Sequence, residues 1–135
     1  MSDRETARQL LTMAAKDFRA MTILAHAEPV PVEACGFHAQ QAVEKALKAW
    51  LALLGQKPPR AHSLSILIQQ LETLGVEVEP LWDFAELSPF AVQFRYESLD
   101  GMDIGLDIAD WLGRVQELVE RVETVLAKLA ETRPD

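Results

Sequence analysis

Apolar residues recur every three or four positions through most of this chain, which is the period of a helix with one buried face. Ala7, Leu11, Ala14, Phe18, Met21 and Ala25 form the first such stripe and predict a helix over about Asp3 to His26. Ser2 and Glu5 stand at capping-box spacing at its start. Glu28-Pro29-Val30-Pro31 ends it, and Pro31 suits the first turn of a second helix. Val32, Cys35, Ala39, Val43, Ala46, Trp50 and Leu53 give that helix its apolar side, from about Val32 to Leu54. Gly55 and Pro58-Pro59 forbid its continuation. Ser63 as N-cap and Gly75 as C-cap bracket a third helix over about Leu64 to Leu74. A fourth helical region covers about Leu81 to Tyr96, broken at Ser88-Pro89 with Ser88 as a fresh cap. The last helix, about Asp103 to Glu131, is the clearest. Ile104, Ile108, Trp111, Val115, Leu118, Val122, Val125 and Leu129 alternate spacings of four and three, and Leu112, Val119 and Leu126 widen the stripe. Asp103, Asp107 and Asp110 near its start suit the helix dipole. The only alternation, Val76 to Glu79 between Gly75 and Pro80, reads as a loop. The pattern predicts an all-α, antiparallel up-and-down bundle of four to five helices, in one domain over residues 1–135.

The second helix has a crowded polar side. His38, Gln41, Glu44, Lys45 and Lys48 lie opposite its apolar stripe, with Phe37 among them. Such a side faces water, a partner subunit or an anionic ligand. His38, Gln41, Lys45 and Lys48 fall in one row, at helical spacings, and are candidates for nucleotide or phosphate binding. Phe37 favours contact, because an aromatic ring on a polar face is costly to leave in water. Arg60 and His62 flank the start of the third helix, whose free backbone N–H groups offer an anion site with Arg60 beside it. The competing reading is a helix capped by Ser63 with Arg60 in solvent.

Charge sharpens this picture. The net charge is −8 over 135 residues, which argues against nucleic-acid binding by the whole surface. From Glu44 to Ser63, however, four basic residues meet one acid, while Leu64 to Asp135 carries −10. The one positive segment is the one with the crowded helix. A single cysteine, Cys35, sits on an apolar face and reads as a small buried hydrophobe. That excludes a disulfide framework and fits a reducing compartment. The first residues, MSDRETARQL, lack an apolar signal core, and no apolar run approaches the length of a bilayer crossing. The expectation is a cytoplasmic protein without a membrane span. Three histidines with no HxxxH spacing point to no metal site, and no cofactor is implied.

Three stretches carry a resemblance to a known family: FHAQQAVEKALKAWL from Phe37 to Leu51, PPRAHSLSIL from Pro58 to Leu67, and LSPFAVQFRYE from Leu87 to Glu97. In this order and at these separations they resemble the HEPN family (higher eukaryotes and prokaryotes nucleotide-binding domain), in its small bacterial single-domain form. The resemblance implies a helical bundle that works as a homodimer. It also implies a metal-independent endoribonuclease site in the active branch, with an Arg followed four to six residues later by a His near the start of the last long helix. Arg95 matches that Arg. No His occurs after His62, so the imidazole that would shuttle protons is missing. Arg95 is then a phosphate-holding candidate or a structural residue bound to a carboxylate or to helix-end carbonyls. Arg19 and His26, with six residues between them, come close to that separation but lie on the first helix. Tyr96 reads as a packing aromatic.

Small members of the family are often encoded beside a minimal nucleotidyltransferase and act with it as a toxin–antitoxin pair. The expectation is therefore a binding partner of such an enzyme, with a degenerate ribonuclease site, acting through the polar side of the second helix and the Arg95 region. Two alternatives stay open. One is an active endoribonuclease with Glu97 or His38 as its base. The other is a nucleotide-binding module without catalysis.

Overall fold

The computed structural model describes residues 3–91 and 107–132. Its elements are α1 (Asp3–Ala25), α2 (Val32–Leu53), α3 (Leu64–Thr73), a 3-10 helix (Glu79–Leu87) and α4 (Ile108–Thr132). Among the described residues there is no strand. The all-α bundle is as the periodicity predicts.

The termini follow local chemistry. The Pro31 carbonyl accepts the first bond of α2, from Cys35 N at 3.0 Å, while Pro31 itself has extended backbone just outside the helix. Gly55, at φ +85°, takes the left-handed conformation that ends α2. Ser63 Oγ accepts from Ile66 N and caps α3, and Gly75, at φ +92°, follows its end. Asp107 Oδ1 accepts from Asp110 N at 3.1 Å and caps α4. The described helix thus begins at its second acid; Asp103 and Ile104 lie outside the described residues, as does Ser2.

The region after Pro80 departs from expectation. Over Glu79–Leu87 it winds as a 3-10 helix, and residues 88–91 are helical in turn. Ser88 has helical backbone (φ −53°, ψ −40°) and its N–H donates to the Ala85 carbonyl, so it continues the winding instead of capping a new start. The cause lies in the spacing. Leu81, Phe84, Leu87 and Phe90 are all buried and all three apart. Side chains three apart eclipse in a 3-10 helix, which turns Leu81, Phe84 and Leu87 toward the core, and the helical turn that follows brings Phe90 in beside them.

α2 occupies the centre and packs against α1, α3, the 3-10 helix and α4. α1 runs antiparallel to α4, with Arg4 Nη2 donating to the Leu129 carbonyl at the far end. Because α2 meets a neighbour on nearly every side, its buried set extends well beyond a stripe. It includes Ala39, Ala42, Ala46, Ala49 and Ala52, small residues that let other helices approach, besides Val43, Leu47, Trp50 and Leu51. The 3-10 helix joins α4 through Phe84 on Trp111, ring centroids 5.9 Å apart, and through Arg114, which binds Asp83 at 3.0 Å and Asp110 at 2.8 Å. Asp83 and then Asp110 hold the Arg114 guanidinium pKa above its ordinary value. No helix among the described residues is long and apolar enough to cross a membrane.

Candidate functional site

The polar side of α2 lies against α1 and the segment leading into α3. Two carboxylates organise it. Asp17, from the middle of α1, accepts from His38 Nδ1 at 3.0 Å and from Lys45 Nζ. Glu44, on α2 itself, accepts from Gln40 Nε2 at 3.1 Å through one oxygen. Its other oxygen accepts from Lys48 Nζ and from His62 Nδ1, each at 3.2 Å. Gln40 is fully buried. Its Nε2 also reaches the His62 carbonyl, and its Oε1 accepts from Gln41 Nε2 at 2.7 Å. Every fully buried side-chain polar atom among the described residues has a partner.

Burial decides what these contacts are worth. The Glu44 side chain is 6% exposed and that of Asp17 13%. A carboxylate so far from water must be compensated, and hydrogen bonds to ionised groups contribute about 1.5–3 kcal/mol each. Lys45 and Lys48 are therefore committed to the fold: both ammonium groups neutralise internal carboxylates. This redefines the candidate phosphate row. His38, Gln41, Lys45 and Lys48 do lie together, but they face protein, and each has an intrachain partner. Phe37 is half-buried, edge-on to the His38 ring at 5.3 Å. Arg60 is exposed, and His62, its side chain 77% exposed, is tied to Glu44. Arg95, with Tyr96 and Glu97, lies outside the described residues.

Chemically, the arrangement contains two carboxylate–imidazole pairs. A carboxylate that accepts from Nδ1 fixes the tautomer that leaves Nε2 free to take a proton. His26 differs, because its Nδ1 meets its own helix at the Thr22 carbonyl, 2.8 Å away, and Arg19 is exposed. Burial pushes the Cys35 thiol pKa up, so its reactive thiolate is disfavoured. Among the described residues no group of three or more His, Cys, Asp or Glu side chains is placed to hold a metal ion.

Asp17 and Gln40 were not legible as site residues from the polar row alone. Their signal is position. Asp17 lies three after Ala14 and four before Met21, within the buried sector of α1. Gln40 lies four before Glu44, beside buried Ala39 and Val43. A polar residue inside a buried sector demands a partner.

No curated protein and no solved structure matches this chain. A family model described as HEPN domain matches residues 7–131, from the early turns of α1 to the end of α4. With nearly the whole chain matched, the protein belongs to the HEPN domain family.

Proposed function

We propose that this chain is a HEPN-domain binding protein that does not cleave RNA, works as a homodimer and acts with a minimal nucleotidyltransferase in a toxin–antitoxin-type pair. One observation carries the reading. The chain has three histidines, His26, His38 and His62. None follows Arg95 in the sequence, so the Arg lacks the downstream imidazole that the active branch requires. The decisive experiment is co-purification with the product of the adjacent gene, alongside a ribonuclease assay of the chain alone. A stable complex and no cleavage are expected. Elution of the chain alone, or cleavage abolished by Arg95→Ala, overturns the reading. Sedimentation at two concentrations tests the dimer, and a monomer at both removes it.

A second reading draws on the Asp17–His38 pair. An imidazole oriented by a carboxylate is the arrangement of a general base, so His38 is the base if the protein cleaves RNA. Cleavage lost in His38→Ala, with the fold retained, is the result that would establish it. A nucleotide-binding role without catalysis is tested by calorimetry with ATP; heat of binding at millimolar nucleotide supports it.

A further inference from the structure

A cleft of about 310 Å³ lies between the 3-10 helix and α4, away from the polar side of α2. Leu81, Phe84 and Leu118, all buried, form its apolar lining, and Asp83, Arg114, Glu117 and Arg121 its polar lining. The charges are not equivalent. Arg114 and Asp83 are bound to each other, so they close part of the wall as a compensated pair. Arg121 has its guanidinium over the Trp50 ring, 4.6 Å from the centroid, and pairs with no carboxylate among the described residues. Glu117 pairs with no cation there.

Glu117 and Arg121 are four apart on one helix, in the order that favours an ion pair. They do not make one; the Arg121 guanidinium lies over Trp50 instead. The result is a cation and an anion, one turn apart, lining the same cleft over an apolar patch. The contact with the Trp50 ring limits where the guanidinium can go, so less freedom is lost when its donors meet a carboxylate. The Asp83–Arg114 bridge and the Phe84–Trp111 contact hold the opposite wall. The cleft is thus preformed.

We propose that it binds a free α-amino acid with an apolar side chain. Arg121 takes the carboxylate through two N–H donors, Glu117 takes the ammonium, and the side chain lies on Leu81, Phe84 and Leu118. A zwitterion fits where a simple anion does not, since Glu117, with no cation paired to it among the described residues, opposes an uncompensated negative charge. The site shares no residue with the polar side of α2 and is independent of the partner reading.

The test is NMR of the isotope-labelled full chain, following the indole signals of Trp50 and Trp111 during titration with L-phenylalanine. Saturable shifts of both signals are expected, with affinity reduced at least about tenfold in Arg121→Gln and in Glu117→Gln. Both positions are exposed, so either variant carries the test if the other fails to fold. Phenylacetate and phenethylamine, each one charge short, are expected to bind at least about tenfold more weakly. No shift at millimolar phenylalanine overturns the proposal. So does unchanged affinity in both variants, or phenylacetate binding as well as phenylalanine. A nucleoside monophosphate shifting these signals at lower concentration than the amino acid also overturns it.

Discussion

Phe90 packs so closely over Gly36 that a methyl group at position 36 would stand 2.2 Å from its Cδ1 atom. Gly36 lies in the first turns of α2, and Phe90 ends the buried series that begins at Leu81. Only a residue without a side chain lets that ring reach the helix backbone.

The first prediction contrasts two helical glycines. Gly→Ala inside a helix normally stabilises by about 0.5–1 kcal/mol. At Gly113 a methyl would meet nothing within 4 Å, so Gly113→Ala should show that gain. At Gly36 the clash wins, and Gly36→Ala should cost about 1–3 kcal/mol. In a Phe90→Ala background, itself costing about 3–5 kcal/mol, the Gly36 change should become neutral or favourable. Urea unfolding of the four variants reads this directly; equal effects of the two glycine changes would contradict it.

Glu44 should matter to stability more than an ordinary surface acid does. Removing it leaves Lys48, with its side chain 12% exposed, without a counter-charge. Glu44→Ala is expected to cost about 3 kcal/mol. Asp83→Ala breaks an ion pair between exposed groups, screened by water, and should cost clearly less than Glu44→Ala. Thermal melts of both variants check the ranking, and a milder Glu44 variant would show that its network is dispensable.

The Asp107 cap is a local, separable contribution. Asp107→Ala removes the acceptor for Asp110 N and should cost about 1 kcal/mol, while Asp107→Asn or Ser should retain most of it. Amide exchange in the first turn of α4 is the sensitive readout, and unchanged exchange would count against the cap.

Cys35 gives a pH-dependent prediction. Burial raises the thiol pKa in the folded state above its unfolded value. The folded state therefore holds the proton more tightly. That contribution is fully present below the unfolded pKa and is lost as pH rises through the folded one, so stability should fall across the alkaline thiol range. At neutral pH the native thiol should resist alkylation and react once denaturant is added. Rapid labelling of the folded protein would refute this, and Cys35→Ala should flatten the alkaline loss.

The helices of this bundle were legible because their reasons are local. Ala7, Leu11, Ala14 and Met21 mark the buried side of α1, and Trp111, Val115, Leu118 and Val122 that of α4, through spacing alone. Ser63 starts α3 through its side-chain oxygen, and Gly55 and Gly75 follow helix ends through their positive φ, effects that act over one turn. The 3-10 winding was less visible because the run is short. Leu81, Phe84, Leu87 and Phe90 repeat every three residues, a spacing that drifts around an α-helix, and only their common burial shows that the strict repeat is the one in use. Of the candidate site, His38, Gln41, Lys45 and Lys48 were found as a row, but Asp17, Gln40 and the role of Glu44 were not.

Spacing along the chain is enough to place most of the helices and their ends, and to show that one helix carries an excess of polar groups. Which way that excess faces is settled only by packing. Periodicity tells which residues share a side of a helix but not how many sides are covered, and α2 is surrounded. Its lysines therefore meet Asp17 and Glu44, because a charge brought out of water must find its opposite within the fold.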